Sequence, residues 1–262
     1  MKVSDFMAIK KGKSLCFFSA KGGVGKTVNI LNFAGIFEQL EKRVLIIDMD
    51  LYSGGVALYL NRKNDKNIYT LSFDLLNGSF KNFNDYVVKV DNYIDVLCAP
   101  KDPRDANKVD AKYVKDIIEM AEANYDVVLV DTNHALNDIN LTVLDTVNEI
   151  TFFVTNDPID LKNMRSLLSI LDSLGFKNYS ILLNNSRDPF KTYFSLYEIR
   201  KLINHDINYS LSSDLFLRDM ERMAMRGAIV SLDKKFAEVM PNDYKTFVVM
   251  ATDLLERSYN DE

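Results

Sequence analysis

The sequence predicts an α/β fold, a doubly wound and mainly parallel sheet with helices on both faces, on three observations. Short apolar runs of strand length recur along the chain, amphipathic helical patterns lie between several of them, and two of the runs end in carboxylates. Alternating strands and helices join as right-handed crossovers, which cover a parallel sheet on both faces. Ligands then bind beyond the carboxyl ends of the strands.

The strand runs are 14–19, 43–48, 94–99, 126–131, 149–155 and 179–184. Most are apolar on both alternating faces, which reads as buried strand. Helical spacing is carried by Val109, Tyr113, Val114, Ile117, Ile118 and Ala121, and again by Leu161, Met164, Leu168, Leu171 and Leu174. Asp157 and Pro158 punctuate the start of the second pattern, the aspartate as a cap and the proline at the first helical position. After Tyr209 the chain reads as mostly helical. No linker, internal repeat or low-complexity tract divides it, so one domain is expected over residues 1–262, with 1–12 as a flexible N-terminal extension.

A composition of 47% hydrophobic and 26% charged residues, with 10 Gly and 5 Pro, excludes disordered and fibrous classes. The net charge of −5 argues against a surface given over to nucleic acid or anionic lipid. Cys16 and Cys98 sit in apolar stretches without metal-like spacing and read as buried, reduced thiols, which fits a cytoplasmic protein. No run approaches the length of a membrane span, the apolar run after Lys13 is too short for a signal peptide, and 246–257 is too nearly neutral for a basic amphipathic anchor. Direct membrane insertion is not expected.

The strongest motif is Ala20-Lys21-Gly22-Gly23-Val24-Gly25-Lys26-Thr27, between the first strand and a helical pattern of Ile30, Leu31, Ala34, Phe37 and Leu40. Its glycines let successive N–H groups turn toward phosphate oxygens, and the helix N-terminus adds partial positive charge. Gly22, Gly23, Val24, Gly25, Lys26, Thr27 and Val28 are therefore nucleotide-binding candidates, with Lys26 on the β- and γ-phosphates of ATP and Thr27 on Mg²⁺. Ala20 replaces the first glycine of the general pattern, at little cost if its φ is negative.

Lys-Gly-Gly-Val-Gly-Lys-Thr resembles the deviant Walker A motif of the ParA/MinD family. The resemblance implies a P-loop NTPase fold of the SIMIBI type and an ATP-dependent homodimer in which Lys21 crosses to the partner's phosphates. It makes Lys21 and Lys26 catalytic candidates together with Asp50. Asp48-Met49-Asp50 is similar to the family's switch I, which implies that Asp48 helps hold hydrated Mg²⁺ and Asp50 positions the attacking water. The run 126–131 is similar to a Walker B strand, making Asp131 an outer Mg²⁺ ligand. It is followed by Thr132-Asn133-His134-Ala135, without the family's usual proline and glycine, so slow hydrolysis is expected. His134 is read as a hydrogen-bonded structural residue. Asn184, with Asn185 as the alternative, matches the place where the family reads adenine, which an amide can do through its donor and acceptor.

Residues 48–60 and 96–100 resemble the CpaE/TadZ branch, which implies a role in localising pilus or secretion machinery through a protein partner. Three alternatives remain: a ParA-like partitioning ATPase holding nonspecific DNA through Arg218, Arg222 and Arg226, a MinD/FlhG-like spatial regulator, and a nucleotide-dependent scaffold deficient in hydrolysis.

Overall fold

The computed structural model of the chain describes residues 11–63, 65–185, 193–213, 215 and 222–256. Its strands are β1 Lys13–Ser19, β2 Val44–Met49, β3 Val88–Lys89, β4 Ile94–Leu97, β5 Val127–Thr132, β6 Glu149–Val154, β7 Tyr179–Asn184 and β8 Tyr209–Leu211. They form one sheet in the order β3-β4-β2-β5-β1-β6-β7-β8, with every pairing parallel except β3 with β4. The six expected strands are present within two residues at each end. The sequence reading missed β3 and β8, whose two and three residues are too short to show a period. β8 opens the stretch that reads as helical.

The helices are α1 Lys26–Gln39, α2 Val56–Tyr59, α3 Ile68–Leu76, α4 Val114–Asn124, α5 Asp138–Thr146, α6 Pro158–Ser173, α7 Leu196–Ile203, α8 Phe236–Val239 and α9 Pro241–Glu256. Strand alternation divides the core between the two faces of the sheet. Leu15 and Phe17 of β1 join a cluster with Phe33 and Phe37 of α1 and Phe247 of α9, while Cys16 and Phe18 join the cluster under α3 to α7. Phe17 lies 5.6 Å from Phe33 and 4.9 Å from Phe153, centroid to centroid. β1 therefore runs through the centre of the sheet, buried on both sides, and delivers the phosphate loop to the middle of the carboxyl edge.

Asp157 caps α6 as its sequence position suggests, its Oδ1 accepting the N–H groups of Ile159 and Asp160. Cys16 and Cys98 are free and buried. Part of the extension expected to be flexible is instead fastened: Gly12 N–H donates to the Glu122 carbonyl at 2.7 Å, and Lys11 Nζ lies 3.5 Å from Glu122 Oε2. Residues 1–10 lie outside the described residues, as does Arg218 of the proposed basic stripe, whereas Arg222 and Arg226 are described and exposed. Among the described residues no helix is long and apolar enough to cross a membrane.

Glu38 lies in the last turn of α1, and burial together with the Asp91 charge pushes its pKa up to about 7 from 4.5. The folded state thus holds a proton that the unfolded chain releases. This stability is fully present below about pH 4.5 and lost as pH rises through about 7. Glu38→Gln, neutral throughout, should flatten the fall in Tm over that window. Thermal melts at a series of pH values check this, and identical slopes for the two proteins would contradict it.

Candidate nucleotide site

The loop after β1 owes its shape to two left-handed residues, Gly23 at φ 68° and Gly25 at φ 94°, conformations that side chains resist. Ala20 is not among the positive-φ residues, so its replacement of glycine is unstrained. α1 begins at Lys26 immediately after Gly25, without a side-chain cap on its first N–H groups. Uncapped N–H groups at a helix start are what an anionic phosphate satisfies.

A cavity of about 200 Å³ opens over this loop, lined by Gly22 to Val28, Asp50, Tyr59, Thr132, Asn133 and His134. Lys26 is buried, and its Nζ donates to Ser19 Oγ at 2.7 Å. Burial pushes the Lys26 pKa down, while the carboxylates of Asp131 and Asp50 pull it back up. Ser19, which the sequence reading did not single out, also donates to the Lys21 carbonyl at 2.8 Å and so braces both ends of the loop.

Asp48 and Asp131 stand side by side, paired in the β2–β5 register, and both are 1% exposed. Asp48 Oδ2 accepts Val56 N–H at 3.1 Å and Oδ1 accepts Asp50 N–H at 3.3 Å, which ties the segment after β2 back to the strand. Gly54 permits this fold-back, because a Cβ there would stand 2.9 Å from Asp48 Oδ2 and 2.3 Å from the Ala99 Cβ. Asp131 Oδ2 accepts the Thr27 hydroxyl at 2.6 Å. Burial raises the pKa of Asp48 well above its ordinary value, and the Asp131 charge adds to this. Burial likewise lifts Asp131 to about 6, against the pull of Lys26 and Thr27.

These donors fit a small hard cation. The Asp131 Oδ1 atom is buried without a hydrogen-bond partner among the described residues, and the carboxylates of Asp48, Asp50 and Asp131 outnumber the buried ammonium of Lys26 beside them. Among the described residues no three His, Cys, Asp or Glu side chains form an all-protein metal cage. Mg²⁺ typically takes one or two carboxylates and completes its shell with phosphate and water.

Beyond β5, asparagines organise the turn in place of proline and glycine. Asn133 Oδ1 accepts Ala135 N–H at 2.9 Å and the Asn140 amide at 2.7 Å, and Asn137 caps α5. His134 departs from its expected role: it is exposed, makes no ring hydrogen bond among the described residues, and lies at the cavity wall against Gly22. Asn184 is buried behind the loop and donates to the Val24 carbonyl at 2.8 Å, a brace between β7 and the loop. Asn185 donates to the Leu211 carbonyl at 3.2 Å, and neither asparagine lines the cavity. Lys21 also stands outside the cavity, its Nζ 3.0 Å from Asp157 Oδ2. Burial opposes ionisation of Asp157, but the Asp160 and Ile159 N–H groups and Lys21 outweigh it and hold its pKa below the usual carboxylate range.

A family model described as an AAA domain matches residues 12–182. The chain is similar to a MinD-named protein of Emiliania huxleyi, 24% identical over 64% of this chain and 61% of that one. It is similar to the chromosome partitioning protein ParA of Myxococcus xanthus, 25% identical over 62% and 58% of the two chains. It thus spans about three fifths of the length of these curated relatives. Among solved structures, a ParA family ATPase from Chlorobium tepidum TLS superposes with a TM-score of 0.76 at 22% identity, covering 93% of this chain and 99% of that one. MinD of Pyrococcus horikoshii complexed with Mg-ADP gives 0.73 at 17% identity, covering 93% and 96%. At such identities the structural likeness speaks for the fold. The match over residues 12–182 places the chain in this AAA-domain family, and the loop geometry and the MinD- and ParA-named relatives mark it as a P-loop member of the ParA/MinD type.

Proposed function

We propose that the chain is a Mg²⁺-dependent ATPase working as a spatial switch: two ATP-loaded copies pair, the pair engages a protein partner, and hydrolysis releases it. The observation that carries this reading is the different placement of two lysines of one loop. Lys26 is buried at the cavity, whereas Lys21 does not line it and sits partly exposed, 3.0 Å from Asp157 Oδ2.

In this reading the loop N–H groups and Lys26 grip the triphosphate, Thr27, Asp48 and Asp131 would hold hydrated Mg²⁺, and Asn185, half-buried where Asn184 is buried against the loop, is left to meet the adenine edge. The metal, when bound, neutralises charge on the β- and γ-phosphates. Asp50, half-buried at the cavity wall, orients the water that displaces ADP from the γ-phosphorus. Positioning of this kind supplies most of the catalysis of phosphoryl transfer, so a weak base suffices. The asparagine-built turn after Asp131 supports a slow turnover.

The finer assignment, a CpaE/TadZ-like role in localising pilus or secretion machinery, rests on the resemblance of residues 48–60 and 96–100. A partitioning role on nonspecific DNA is the second reading, favoured by the exposure of Arg222 and Arg226 and by the ParA relatives. Retention on DNA with ATP, lost as salt rises, would select it.

Isothermal calorimetry tests the core of the proposal. ATP with Mg²⁺ should bind saturably and Lys26→Ala should weaken binding by about 1.5–3 kcal/mol, the scale of a charge-assisted hydrogen bond. No uptake by the wild-type protein would overturn the function.

A further inference from the structure

His134 is the middle residue of a turn that is fastened on both sides. Asn133 Oδ1 accepts Ala135 N–H at 2.9 Å and closes the turn around it. Asn140, fully buried on α5, donates its amide N–H groups to Asn133 Oδ1 and to the Ala135 carbonyl, both at 2.7 Å. A buried amide engaged on each flank of one residue fixes the backbone there. What it presents is an imidazole the fold itself does not use, for the ring is exposed and makes no hydrogen bond among the described residues. The ring lies on the phosphate loop: a Cβ at Gly22 would stand 3.3 Å from His134 Nδ1 and 3.5 Å from Cε1, a close approach that a bare glycine permits. His134 lines the nucleotide cavity together with Lys26 and Asp50.

We propose that His134 is a further nucleotide-binding residue, its ring N–H donating to a γ-phosphate oxygen, so that this side chain makes the site prefer ATP to ADP. The inference rests on the ATPase reading above and adds a specificity contact to it. Two placements carry it. The start of α1 at Lys26 serves the inner phosphates, whereas Gly22, under the imidazole, lies at the entry of the loop. His134 also closely follows Asp131, assigned above to the metal that joins the β- and γ-phosphates. The terminal phosphate would therefore arrive beside the ring, among the carboxylates of Asp48, Asp50 and Asp131, where a donor offsets their repulsion. Neutral imidazole carries one N–H in either tautomer, and the role is one of binding: the ring keeps its proton. ADP lacks the acceptor.

The chain holds two histidines, and His205 is engaged elsewhere, with Asp172 and the Ile203 carbonyl, so a His134→Phe variant assigns the imidazole NMR signals. In the wild-type protein the His134 ring signals should move on adding Mg²⁺ with the non-hydrolysable analogue AMPPNP and move far less with Mg²⁺ and ADP, while those of His205 stay in place. By calorimetry, His134→Phe, which keeps the ring's bulk and lacks the donor, should bind AMPPNP about tenfold more weakly or worse and ADP within about twofold of wild type. His134→Gln, which keeps an N–H donor, should recover most of the lost affinity. Equal movement of the His134 signals with both nucleotides overturns the contact, as does an equal loss of affinity for both in His134→Phe. A loss that His134→Gln shares in full overturns hydrogen bonding as its cause. These failures leave the ATPase reading standing, whereas a wild-type protein that binds neither nucleotide sinks that reading and the contact with it.

Discussion

Lys21→Ala should bind ATP within about threefold of wild type, form no ATP-dependent dimer, and hydrolyse ATP about 10³-fold more slowly, the lower end of what a cation supplied in trans contributes to phosphoryl transfer. The affinity is spared because Lys21 does not line its own cavity and Lys26 does. Pairing is lost because two triphosphate sites brought face to face repel. At separations of a few ångströms in a partly dehydrated interface, unit charges interact by several kcal/mol. A lysine from each copy offsets that repulsion, and a methyl group offsets none of it. Titration calorimetry reports the affinity, light scattering after size exclusion reports the mass, and phosphate release reports the rate. A Lys21→Ala protein that pairs normally would remove the trans lysine from the account.

Asp50→Ala should lower hydrolysis by roughly 10²- to 10³-fold while leaving pairing intact, so that dimers formed with ATP persist long after wild-type dimers have fallen apart. Asp50 is half-buried at the cavity wall, beyond the end of β2, and its own N–H is held by Asp48 Oδ1. It is placed to orient water and is not fastened into the core. Its removal also takes a negative charge from beside Lys26 and Asp131, where the Asp50 carboxylate raises the pKa of each. ATP affinity should therefore hold or rise slightly. Dimer lifetime followed by light scattering after a single addition of ATP checks this, and decay at the wild-type rate would count against it.

The parts of the site visible in the sequence are those whose physics is local. The phosphate loop is legible because a backbone that must visit φ 68° and 94° requires glycine at those positions, and the helix that follows has its own period. Asp48 and Asp131 are legible because each ends a run too apolar to be anything but a buried strand, and the β2–β5 register then sets them side by side. The brace from Asn184 to Val24 joins residues 160 apart, and the Lys21–Asp157 pair joins positions just as remote on a linear reading. No spacing rule connects such residues. Asp157 was visible as a helix cap and opaque as a lysine partner, because its second oxygen leaves no mark on local pattern. The turn after β5 shows the converse: the missing proline suggests an altered segment, but only the Asn133–Asn140 amide contact shows how it is organised.

The central claim, that one copy's Lys21 serves the other copy's nucleotide, is tested most directly by mixing two impaired proteins. Lys21→Ala keeps Asp50 and cannot lend a lysine, while Asp50→Ala lends its lysine and cannot orient water. If the lysine acts in trans, a mixed pair contains one complete site, so ATP hydrolysis in the mixture should rise well above the sum of the two proteins alone, toward half the wild-type rate per dimer. Activity equal to that sum, in a mixture where wild-type protein hydrolyses ATP normally, would contradict the account.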